Sequence, residues 1–487
     1  MQLLTNIGNP ESTKYVEILS QNLRDILGIA TTRDSTLTLS VSSTAHAYAD
    51  HVNPQWVRLL DLLQMNTQYV RCAGVELFTA EGDVVLDFLS GYCVHNAGHN
   101  HPYIVEQLQD ELSRRGPAML QSHVPDLAGE LAKRLCRLAG GGMRKVFFAC
   151  SGSEGVESAI KFSRATTGRS GLLYATGAFH GLTCGALSLM GDDFWREKFG
   201  PMLSDTAAVP FGSLEALRER LATKQFAAFF VEPIQSEAGI RIPGPDYLRE
   251  ARRLCARYGT LFVLDEVQTG MFRTGHFLAA RHFEVEPDMI VMAKALSGGL
   301  VPCSAVLMSD RVYDAVYSSL KRSIVHTSTF SENAMSMRAG LATLDVLERE
   351  RLGERALGMG DRLRERLRQE LSGYEMVREV RGMGMLSGIE FQPPKQVRLR
   401  LAFEAFQHIH AGMFGQVLVM RLFRDHRILT QICGNNFMVL KVAPPLVITE
   451  EQLETFIRAV REVVDLMHTS TSFWTEALGL ARRVLNV

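Results

Sequence analysis

The sequence predicts an α/β protein: a large domain built on a mostly parallel sheet covered by helices, followed by a smaller α+β domain. Between residues 145 and 308, short apolar segments alternate with amphipathic ones, which is typical of parallel strands joined by helices. From Ala339 onward, long charged helical segments dominate before short strands return. A chain of 487 residues is also too long for one simple core.

The predicted strands of the large domain are short apolar runs bounded by turn residues. Helical patterns lie between them, among them SEGVESAIKFSRAT, which Gly168 follows as a stop signal, and YLREARRLCARYG. Sheets of this kind bind ligands beyond the carboxyl ends of their strands, so we expect the site there. The strand candidates are KVFFAC (145–150), FAAFFV (226–231), LFVL (261–264), MIVM (289–292) and SAVLM (304–308).

We predict four segments along the chain. The first carries helices, a loop at 31–44, and a hairpin at 76–89 whose turn is supplied by Glu81, Gly82 and Asp83. The last is an amphipathic helix, expected to dock on the body of the protein or on a second copy rather than on a membrane. The segments are the amino-terminal segment 1–82, the large domain 83–338, the small domain 339–468 and the carboxyl-terminal extension 469–487.

Charge and cysteine content exclude several classes of protein. Lysine and arginine number 52 against 53 acids, a net charge of −1, which offers no electrostatic footprint for nucleic acid. Eight cysteines without CxxC pairs favour a reducing cytoplasm over a disulfide framework. The start of the sequence lacks a signal-peptide pattern, and no apolar run reaches the roughly 18 residues of a membrane span. We therefore expect a cytoplasmic protein with no membrane span.

A group of histidines raises the question of a metal site. His95, His99 and His101 lie close together, with Cys93 nearby. Their spacing fits none of the common zinc patterns, so we expect no bound metal.

Two charged residues follow buried strands. Asp265 ends the run LFVLD, and Lys294 follows the run MIVM and precedes a glycine pair. Such an acid is often a helix cap or the partner of a surface base, and such a lysine is often solvated. An enclosed pocket would instead depress the lysine pKa, so that the amine could attack a carbonyl and form a Schiff base.

Three further motifs bear on these two residues. In ACSGSEGVESAIK, the backbone N–H groups of Gly152 and Ser153 open a helix and favour an anion, although Ser153 is equally a plain cap. In TGAFHGLT, Phe179 and His180 lie in a glycine-bounded turn where an aromatic face could stack on a planar ligand or pack in the core. In HTSTFSEN (326–333), hydroxyls could reach a phosphate.

Together these groups suit a single ligand, a flat aromatic ring with an aldehyde, a phosphate and a basic nitrogen. That ligand is pyridoxal phosphate, whose aldehyde needs a lysine and whose ring nitrogen needs an acid. An ionised Asp265 would keep the ring nitrogen protonated and make the ring an electron sink. Such a charge-assisted pair contributes on the order of 1.5–3 kcal/mol in a partly desolvated site.

The sequence resembles the class-III, fold-type I aminotransferases, and its pattern is similar to that of ornithine and putrescine aminotransferases. The resemblance runs from about Val70 to Met467. The motifs that carry it are GHNHP, SGSEGVESAIK, GAFHG, VEPIQSEAG, LDEVQTG, AKALSGG and VAPPLVITEEQ.

The resemblance implies roles for the cofactor-binding residues. Lys294 forms the internal aldimine and later acts as general base, while Asp265 pairs with the pyridine nitrogen. Gln268 bonds the ring hydroxyl, and Phe179, beside His180, stacks on the ring. Gly152 and Ser153 bind the phosphate, and Glu232 supports the site from behind.

The resemblance also implies a homodimer and some substrate contacts. Thr329 would reach the phosphate of the neighbouring subunit's cofactor, so that active sites are shared. Tyr92 would line the substrate pocket. Glu237 and the base at 441 would form a gate, in which the Glu237 carboxylate masks the base for one substrate and releases it for another. The alternative for this last pair is an ordinary salt bridge.

The sequence departs from the family pattern at several positions. Leu182 replaces an arginine that binds α-carboxylates, and Lys441 replaces a second arginine. Neither position therefore offers a guanidinium that could bind a carboxylate through two hydrogen bonds. Phe272 replaces a glycine and is expected to narrow the entrance, whereas Arg273 is expected to be structural. With the apolar stretch 396–436, these departures suggest a large hydrophobic amine or aldehyde as a hypothesis.

The function predicted from these residues is transamination. An amino group would move between a terminal amine, or an aldehyde acceptor, and an oxo acid such as 2-oxoglutarate or pyruvate, with glutamate or alanine as the exchange partner. An aminomutase, a decarboxylase or a racemase on the same fold is the alternative, because cofactor residues alone do not separate them. A non-enzymatic binding protein is a third hypothesis, which the intact Lys294–Asp265 pair disfavours.

Overall fold

The computed structural model describes residues 46–120 and 122–485, so the loop predicted at 31–44 lies outside the described residues. The strands are β1 (Tyr69–Ala73), β2 (Glu76–Thr79), β3 (Val84–Asp87), β4 (Lys145–Ala149), β5 (Gly171–Ala175), β6 (Thr206–Val209), β7 (Phe226–Val231), β8 (Leu261–Asp265), β9 (Met289–Met292), β10 (Ser304–Met308), β11 (Val377–Met383), β12 (Leu386–Phe391), β13 (Ile428–Leu429), β14 (Gln431–Cys433) and β15 (Asn436–Val442).

Helices separate most of these strands, as the alternating pattern predicts. They are α1 (His46–His51), α2 (Pro54–Leu62), α3 (Pro102–Arg114), α4 (Asp126–Ala139), α5 (Gly152–Thr167), α6 (Cys184–Leu187), α7 (Leu214–Ala222), α8 (Tyr247–Tyr258), α9 (Asp310–Val316), α10 (Ala334–Arg349), α11 (Leu352–Leu371), α12 (Val397–His410), α13 (Phe414–His426), α14 (Glu450–Thr469) and α15 (Thr471–Leu485). Within the described ranges, no helix is both long and apolar enough to cross a membrane.

The largest sheet has seven strands in the order β4-β10-β9-β8-β7-β5-β6. The pairs from β9 to β6 are parallel, and β10 runs antiparallel to both of its neighbours. The prediction of a mostly parallel sheet covered by helices is confirmed. The strands β5 and β6, which form one end of this sheet, are not among the strands that the sequence predicts.

The strand β8 illustrates why these strands read as continuous apolar runs. Phe262 and Leu264 belong to one hydrophobic core, and Leu261 and Val263 belong to a second core. Alternate side chains of a strand point to opposite faces, so both faces of this sheet are buried. The strand therefore carries Asp265 to the carboxyl edge with no polar residue before it.

Two smaller sheets flank the large one in the chain. The strands β11, β12, β15 and β14 form an antiparallel sheet in that order. The strands β1, β2, β3 and β13 form the other, in which β2 and β3 are the predicted hairpin. The smaller α+β part is thus present, while the boundaries at 82, 338 and 468 stay predictions.

The carboxyl-terminal helices form an aromatic cluster. The rings of Phe403 on α12 and Phe414 on α13 each lie 6.4 Å from the Trp474 ring on α15. The prediction that α15 docks on the body of the protein is confirmed. The stretch 396–436 owes its apolar character to this packing, so it gives no support to a large hydrophobic substrate.

Arg273 has a structural role, as the sequence predicts. It is fully buried, and its guanidinium donates to Asn96 Oδ1, Ser90 Oγ and the carbonyl oxygens of Met385 and Pro444. Burial lowers the pKa of Arg273. A guanidinium has five N–H donors, and here each of them has a neutral acceptor. The side chain therefore ties the segment around Ser90 and Asn96 to Met385 and Pro444, which lie in the predicted small domain.

We expect Arg273→Lys to destabilise the protein by roughly 2–5 kcal/mol, because an ammonium has too few donors for these buried acceptors. The thermal unfolding midpoint of the variant measures the effect. Arg351→Lys is the matched control, since Arg351 is exposed and pairs only with Glu354. Equal midpoints for the two variants would show that Arg273 is not structural.

Candidate active site

A cavity of about 420 Å³ lies at the carboxyl ends of β4, β8 and β9. This volume falls within the range of small-molecule and cofactor sites. The sequence analysis placed the site at this edge of the sheet, and the structure brings many of the predicted residues together there. The predicted residues that line it are Gly152, Ser153, Phe179, His180, Glu232, Glu237, Asp265, Gln268 and Lys294.

Lys294 extends into the cavity from a tight 3-10 turn that follows β9. Burial lowers the pKa of Lys294, while nearby Cys93 and Glu237 oppose that shift and Lys441 adds to it. A lowered pKa leaves more of the amine neutral at neutral pH, which is the nucleophilic form.

Asp265 is oriented by two donors at the end of β8. His180 Nδ1 donates to Asp265 Oδ2 over 2.8 Å, and the backbone N–H of Val267 donates to Asp265 Oδ1 over 3.0 Å. Burial disfavours a charged His180, but the hydrogen bond and charge of Asp265, together with Glu232, raise the pKa of His180. The carboxylate is thus held in one orientation beside the cavity.

The amino end of α5 forms a cradle suited to an anion. Ser151 caps the helix by accepting from Glu154 N over 3.2 Å, and Gly152 and Ser153, which open the helix, line the cavity. A β-carbon on Gly152 would lie 3.0 Å from Val267 Cγ2, so a side chain there would crowd this edge. Thr183 N donates to Ser153 Oγ over 3.0 Å and fixes that hydroxyl.

Phe179 and a buried acid, Glu232, form another part of the cavity wall. Glu232 Oε1 accepts from the backbone N–H of Phe179 over 3.1 Å. The pKa of Glu232 is raised to about 8, chiefly by burial; the charge of His180 opposes this rise, and the charge of Asp265 contributes to it. The Phe179 ring meets the Trp195 ring edge-on, with the centroids 5.3 Å apart.

A second buried charge pair lies next to Gln268. Glu237 Oε1 accepts from Lys441 Nζ and, over 2.8 Å, from Gln268 Nε2, while Glu237 Oε2 accepts from Gly434 N over 2.8 Å. Lys441 Nζ also lies 5.1 Å from the centre of the Tyr92 ring. Both carboxylate oxygens of Glu237 therefore accept hydrogen bonds, and its partner Lys441 is fully buried.

Some predicted residues lie outside the cavity wall. Lys441, which bonds Glu237 and lies against the Tyr92 ring, does not line the cavity, and neither does Tyr92. Thr329 is exposed and does not line it either. Leu182 is 54% exposed and does not line the cavity. Phe272 packs against Phe277 with ring centroids 5.7 Å apart, so the expectation that it narrows the entrance is wrong.

Sequence reasoning missed one group of residues beside the site. Trp195 Nε1 donates to Asn435 Oδ1 over 2.8 Å, and Asn435 Nδ2 donates to Gly177 O over 3.1 Å. These contacts bind the turn between β14 and β15 to the Phe179 wall. The sequence carries no signal for a pair 240 residues apart.

The residues of the cavity fit pyridoxal phosphate. Gln268 Oε1 is buried without a hydrogen-bond partner among the described residues, which suits it to accept from a ring hydroxyl. The α5 cradle suits the phosphate, Asp265 suits the ring nitrogen, and Lys294 suits the aldehyde. A group of three or more His, Cys, Asp or Glu side chains that could hold a metal is absent from residues 46–120 and 122–485.

Comparison with known proteins places the chain in a family. A sequence model described as "Aminotransferase class-III" matches residues 61–464. The chain belongs to the class-III aminotransferase family. The resemblance read from the motifs is thereby confirmed, and with it the fold-type I architecture and pyridoxal phosphate as the cofactor.

Several known proteins are similar to this class-III aminotransferase. Aminotransferase PigE of Serratia sp. (strain ATCC 39006) is 34% identical over 461 residues, which are 88% of this chain and 54% of PigE. The chain therefore spans about half the length of that curated relative. The ornithine aminotransferase of Toxoplasma gondii superposes with a TM-score of 0.74 at 28% identity, over 88% of this chain and 99% of that one. An amine transaminase from an uncultivated Pseudomonas species, solved in its PLP-bound form, gives a TM-score of 0.74 at 25% identity, over 90% and 99% of the two chains.

Proposed function

We propose that this aminotransferase moves an amino group between a terminal amine, or an aldehyde acceptor, and an oxo acid such as 2-oxoglutarate or pyruvate. The observation that carries the proposal is the presence of Lys294 and the Asp265–His180 pair in one cavity. An intact nucleophile and an oriented acid favour an enzyme over a binding protein that has kept the fold.

The residues of this chain divide the chemistry between them. When bound, pyridoxal phosphate supplies an electron sink that stabilises negative charge on the substrate carbon. Lys294 Nζ would hold the cofactor through its aldehyde, and the same amine is placed to accept the proton of the substrate carbon and to return it. Asp265, oriented by His180, would pair with the ring nitrogen and keep it protonated. Glu232 fixes the Phe179 backbone so that the ring can lie against the cofactor.

The substrate class follows from the charges around the cavity. Among the described residues that line it, there is no arginine, and Lys294 is the sole ammonium. Lys441 is committed to Glu237, and Leu182 replaces the arginine expected in relatives that bind amino acids by the α-carboxylate. A carboxylate next to the reacting amine would therefore lack its bidentate partner.

The experiment that tests this proposal compares matched donors. A terminal diamine and the α-amino acid of equal chain length are each offered with 2-oxoglutarate or pyruvate, and amino transfer is followed by a coupled assay. We expect kcat/KM for the diamine to exceed that for the amino acid by at least about tenfold, on the scale of one lost charge-assisted hydrogen bond. A preference for the amino acid would contradict the assigned donor class. Turnover without an oxo acid would indicate a mutase, a decarboxylase or a racemase.

The proposal includes a homodimer with shared sites in the cytoplasm. Thr329 lies beside exposed apolar side chains on one segment, among them Ile324 at 78% and Phe330 at 61% exposure. A second copy would cover these side chains and bring Thr329 to the phosphate of the other subunit's cofactor. Thr329→Ala is expected to weaken cofactor retention without changing the cavity of its own subunit. A monomer at micromolar concentration by light scattering would overturn the dimer.

The Glu237–Lys441 pair leads to a pH-dependent prediction. Burial alone would raise the pKa of Glu237, but the charge and hydrogen bond of Lys441 and the hydrogen bond of Gln268 lower it to about 2. Because the folded pKa lies below the unfolded value of 4.5, the stabilisation is present above about pH 4.5 and is lost as the pH falls toward 2. The pair also raises the pKa of Lys441 above its usual range, against the effect of burial.

We expect the stability difference between wild type and Glu237→Gln to shrink as the pH falls from about 4.5 toward 2, because the carboxyl of unfolded Glu237 takes up a proton in this range while the folded one stays ionised until about pH 2. Thermal midpoints across this range measure it. The double variant Glu237→Gln with Lys441→Met is expected to be more stable than Glu237→Gln alone, because it leaves no unpaired buried charge. A pH-independent difference would show that Glu237 is not ionised by the pairing.

A further inference from the structure

The segment that leads into the GHNHP motif has an unusual backbone. The four residues Ser90, Gly91, Tyr92 and Cys93 have φ values of 48°, 61°, 61° and 67°. A run of left-handed residues is unfavourable for side chains with a β-carbon, and three of these four have one. Such a turn persists only where its surroundings hold it. We call residues 90–93 the left-handed turn.

Several contacts hold the amino end of the left-handed turn. Asp87 Oδ1 accepts from the backbone N–H groups of Leu89 and Ser90, each over 2.8 Å. Ser90 Oγ donates to Ala443 O over 2.7 Å and accepts from Arg273 Nη2 over 3.1 Å. None of these contacts involves Tyr92 or Cys93, at the carboxyl end of the turn.

His95 occupies the space behind that carboxyl end. Its ring stacks on the His99 ring with centroids 3.9 Å apart and planes 29° apart, and His99 Nε2 lies 2.7 Å from Asp87 Oδ2. The same carboxylate therefore caps the left-handed turn and anchors the stack. Burial, and next the neighbouring His99, lower the pKa of His95 to about 4, so the ring is neutral near neutral pH.

The His95 ring also touches the segment that follows Lys294. A β-carbon added to Gly299 would overlap the His95 ring, and one added to Gly91 would lie 3.2 Å from His95 Cδ2. Gly299 lines the cavity. The ring thus fills the gap between the left-handed turn and the cavity wall, and no other role for it arises from the proposed reaction.

We propose that His95 is a positioning residue whose neutral ring wedges the left-handed turn against the Gly298–Gly299 segment. The wedge fixes Tyr92 over Lys441 and keeps Cys93 within electrostatic range of Lys294. The effect on catalysis rests on the proposed transamination, whereas the wedge itself does not. Without the ring, the turn is free to relax toward ordinary backbone angles.

Thiol labelling of the full-chain holoenzyme tests the wedge without turnover. Cys93 is 1% exposed and lies in the left-handed turn, so its labelling reports local opening of that turn. Cys184 is exposed and is labelled in the folded protein, whereas Cys255 is fully buried in another part of the protein and reports general unfolding. In His95→Ala, we expect peptide mass spectrometry to show Cys93 alkylation at least about tenfold faster than in wild type, with Cys255 still protected. His101→Ala is the matched control, because His101, in the GHNHP motif that follows His95, pairs with Glu350 instead.

A planar replacement separates the shape of the ring from its chemistry. His95→Phe keeps a flat, neutral ring and is expected to restore Cys93 protection, whereas His95→Leu, apolar but not planar, is expected to behave like His95→Ala. Unchanged Cys93 protection in His95→Ala overturns the proposal. Equal gains in Cys93 and Cys255 labelling also overturn it, because they indicate general destabilisation. If His95→Ala does not fold, His95→Leu carries the same comparison.

The consequence for the site is tested by steady-state kinetics on the same variants. We expect the KM for the amine donor to rise about tenfold in His95→Ala, with a smaller fall in kcat, since Tyr92 lies against Lys441, which pairs with Glu237 on the cavity wall. His95→Phe should recover most of this loss. A loss of kcat alone, with an unchanged KM, would contradict the positioning role. Changed labelling with no amino transfer in any variant would count against the proposed function but not against the wedge.

Discussion

Replacing Lys294 by alanine is expected to lower oxo-acid-dependent amino transfer by at least about 10⁴-fold. The side chain is the sole ammonium among the described residues of the cavity wall, and both covalent attachment and proton transfer depend on it. The coupled assay measures the loss, and the visible absorbance of the protein should change with it.

The site of attachment can be found directly. Borohydride reduction followed by peptide mass spectrometry is expected to find the cofactor on the peptide that contains Lys294. A small alkylamine added to Lys294→Ala should restore part of the activity, because it supplies the missing base. Lys224→Ala serves as the control, since Lys224 is exposed and remote from the cavity. An adduct on any other lysine would disprove the assignment on which the mechanism depends.

Asp265→Asn is expected to keep the cofactor bound yet to lose about 10³-fold in kcat, which corresponds to roughly 4 kcal/mol of transition-state stabilisation. The amide keeps the shape of the side chain but not the charge that holds a proton on the ring nitrogen. Single-turnover kinetics with a terminal amine measure the loss. Near-normal turnover in this variant would show that the ring nitrogen needs no acid.

The neighbouring acid provides a matched control for Asp265. Glu266 turns away from the cavity, where its carboxylate accepts from Thr269 Oγ1 and from the backbone N–H groups of Ala279 and Ala280. Burial raises the pKa of Glu266 to about 7. Glu266→Gln is expected to lower the thermal midpoint, because a backbone donor loses its acceptor, while kcat changes far less than in Asp265→Asn.

The parts of the fold and site that the sequence predicts are those with local signals. The strand β8 reads as a strand because its four apolar residues are buried on both faces, and Asp265 follows at once. The Gly152–Ser153 turn is visible because a strand, small residues and a helix lie in direct succession. The strand β6 is only four residues long and lies at the sheet edge, so its pattern is weak.

The parts that the sequence does not predict depend on contacts between distant segments. The expectation that Phe272 narrows the entrance rests on its place in a motif, but tertiary packing against Phe277 decides where its ring lies. The link from Trp195 to Asn435 and the stacking of His95 on His99 depend on chain folding and on backbone angles. Neither periodicity nor composition reports on such contacts.

The reversed direction of β10 has a consequence for how this pocket can diversify. Because β10 runs opposite to β9, the chain from Lys294 to Cys303 makes a U-turn along one rim instead of crossing the sheet. Leu300, Val301 and Pro302 lie on this U-turn and line the cavity without belonging to either strand. Substitutions at these positions would change the shape of the cavity while the hydrogen bonds between the strands stay intact. The rim is therefore the place where substitutions would most readily change which amine is accepted.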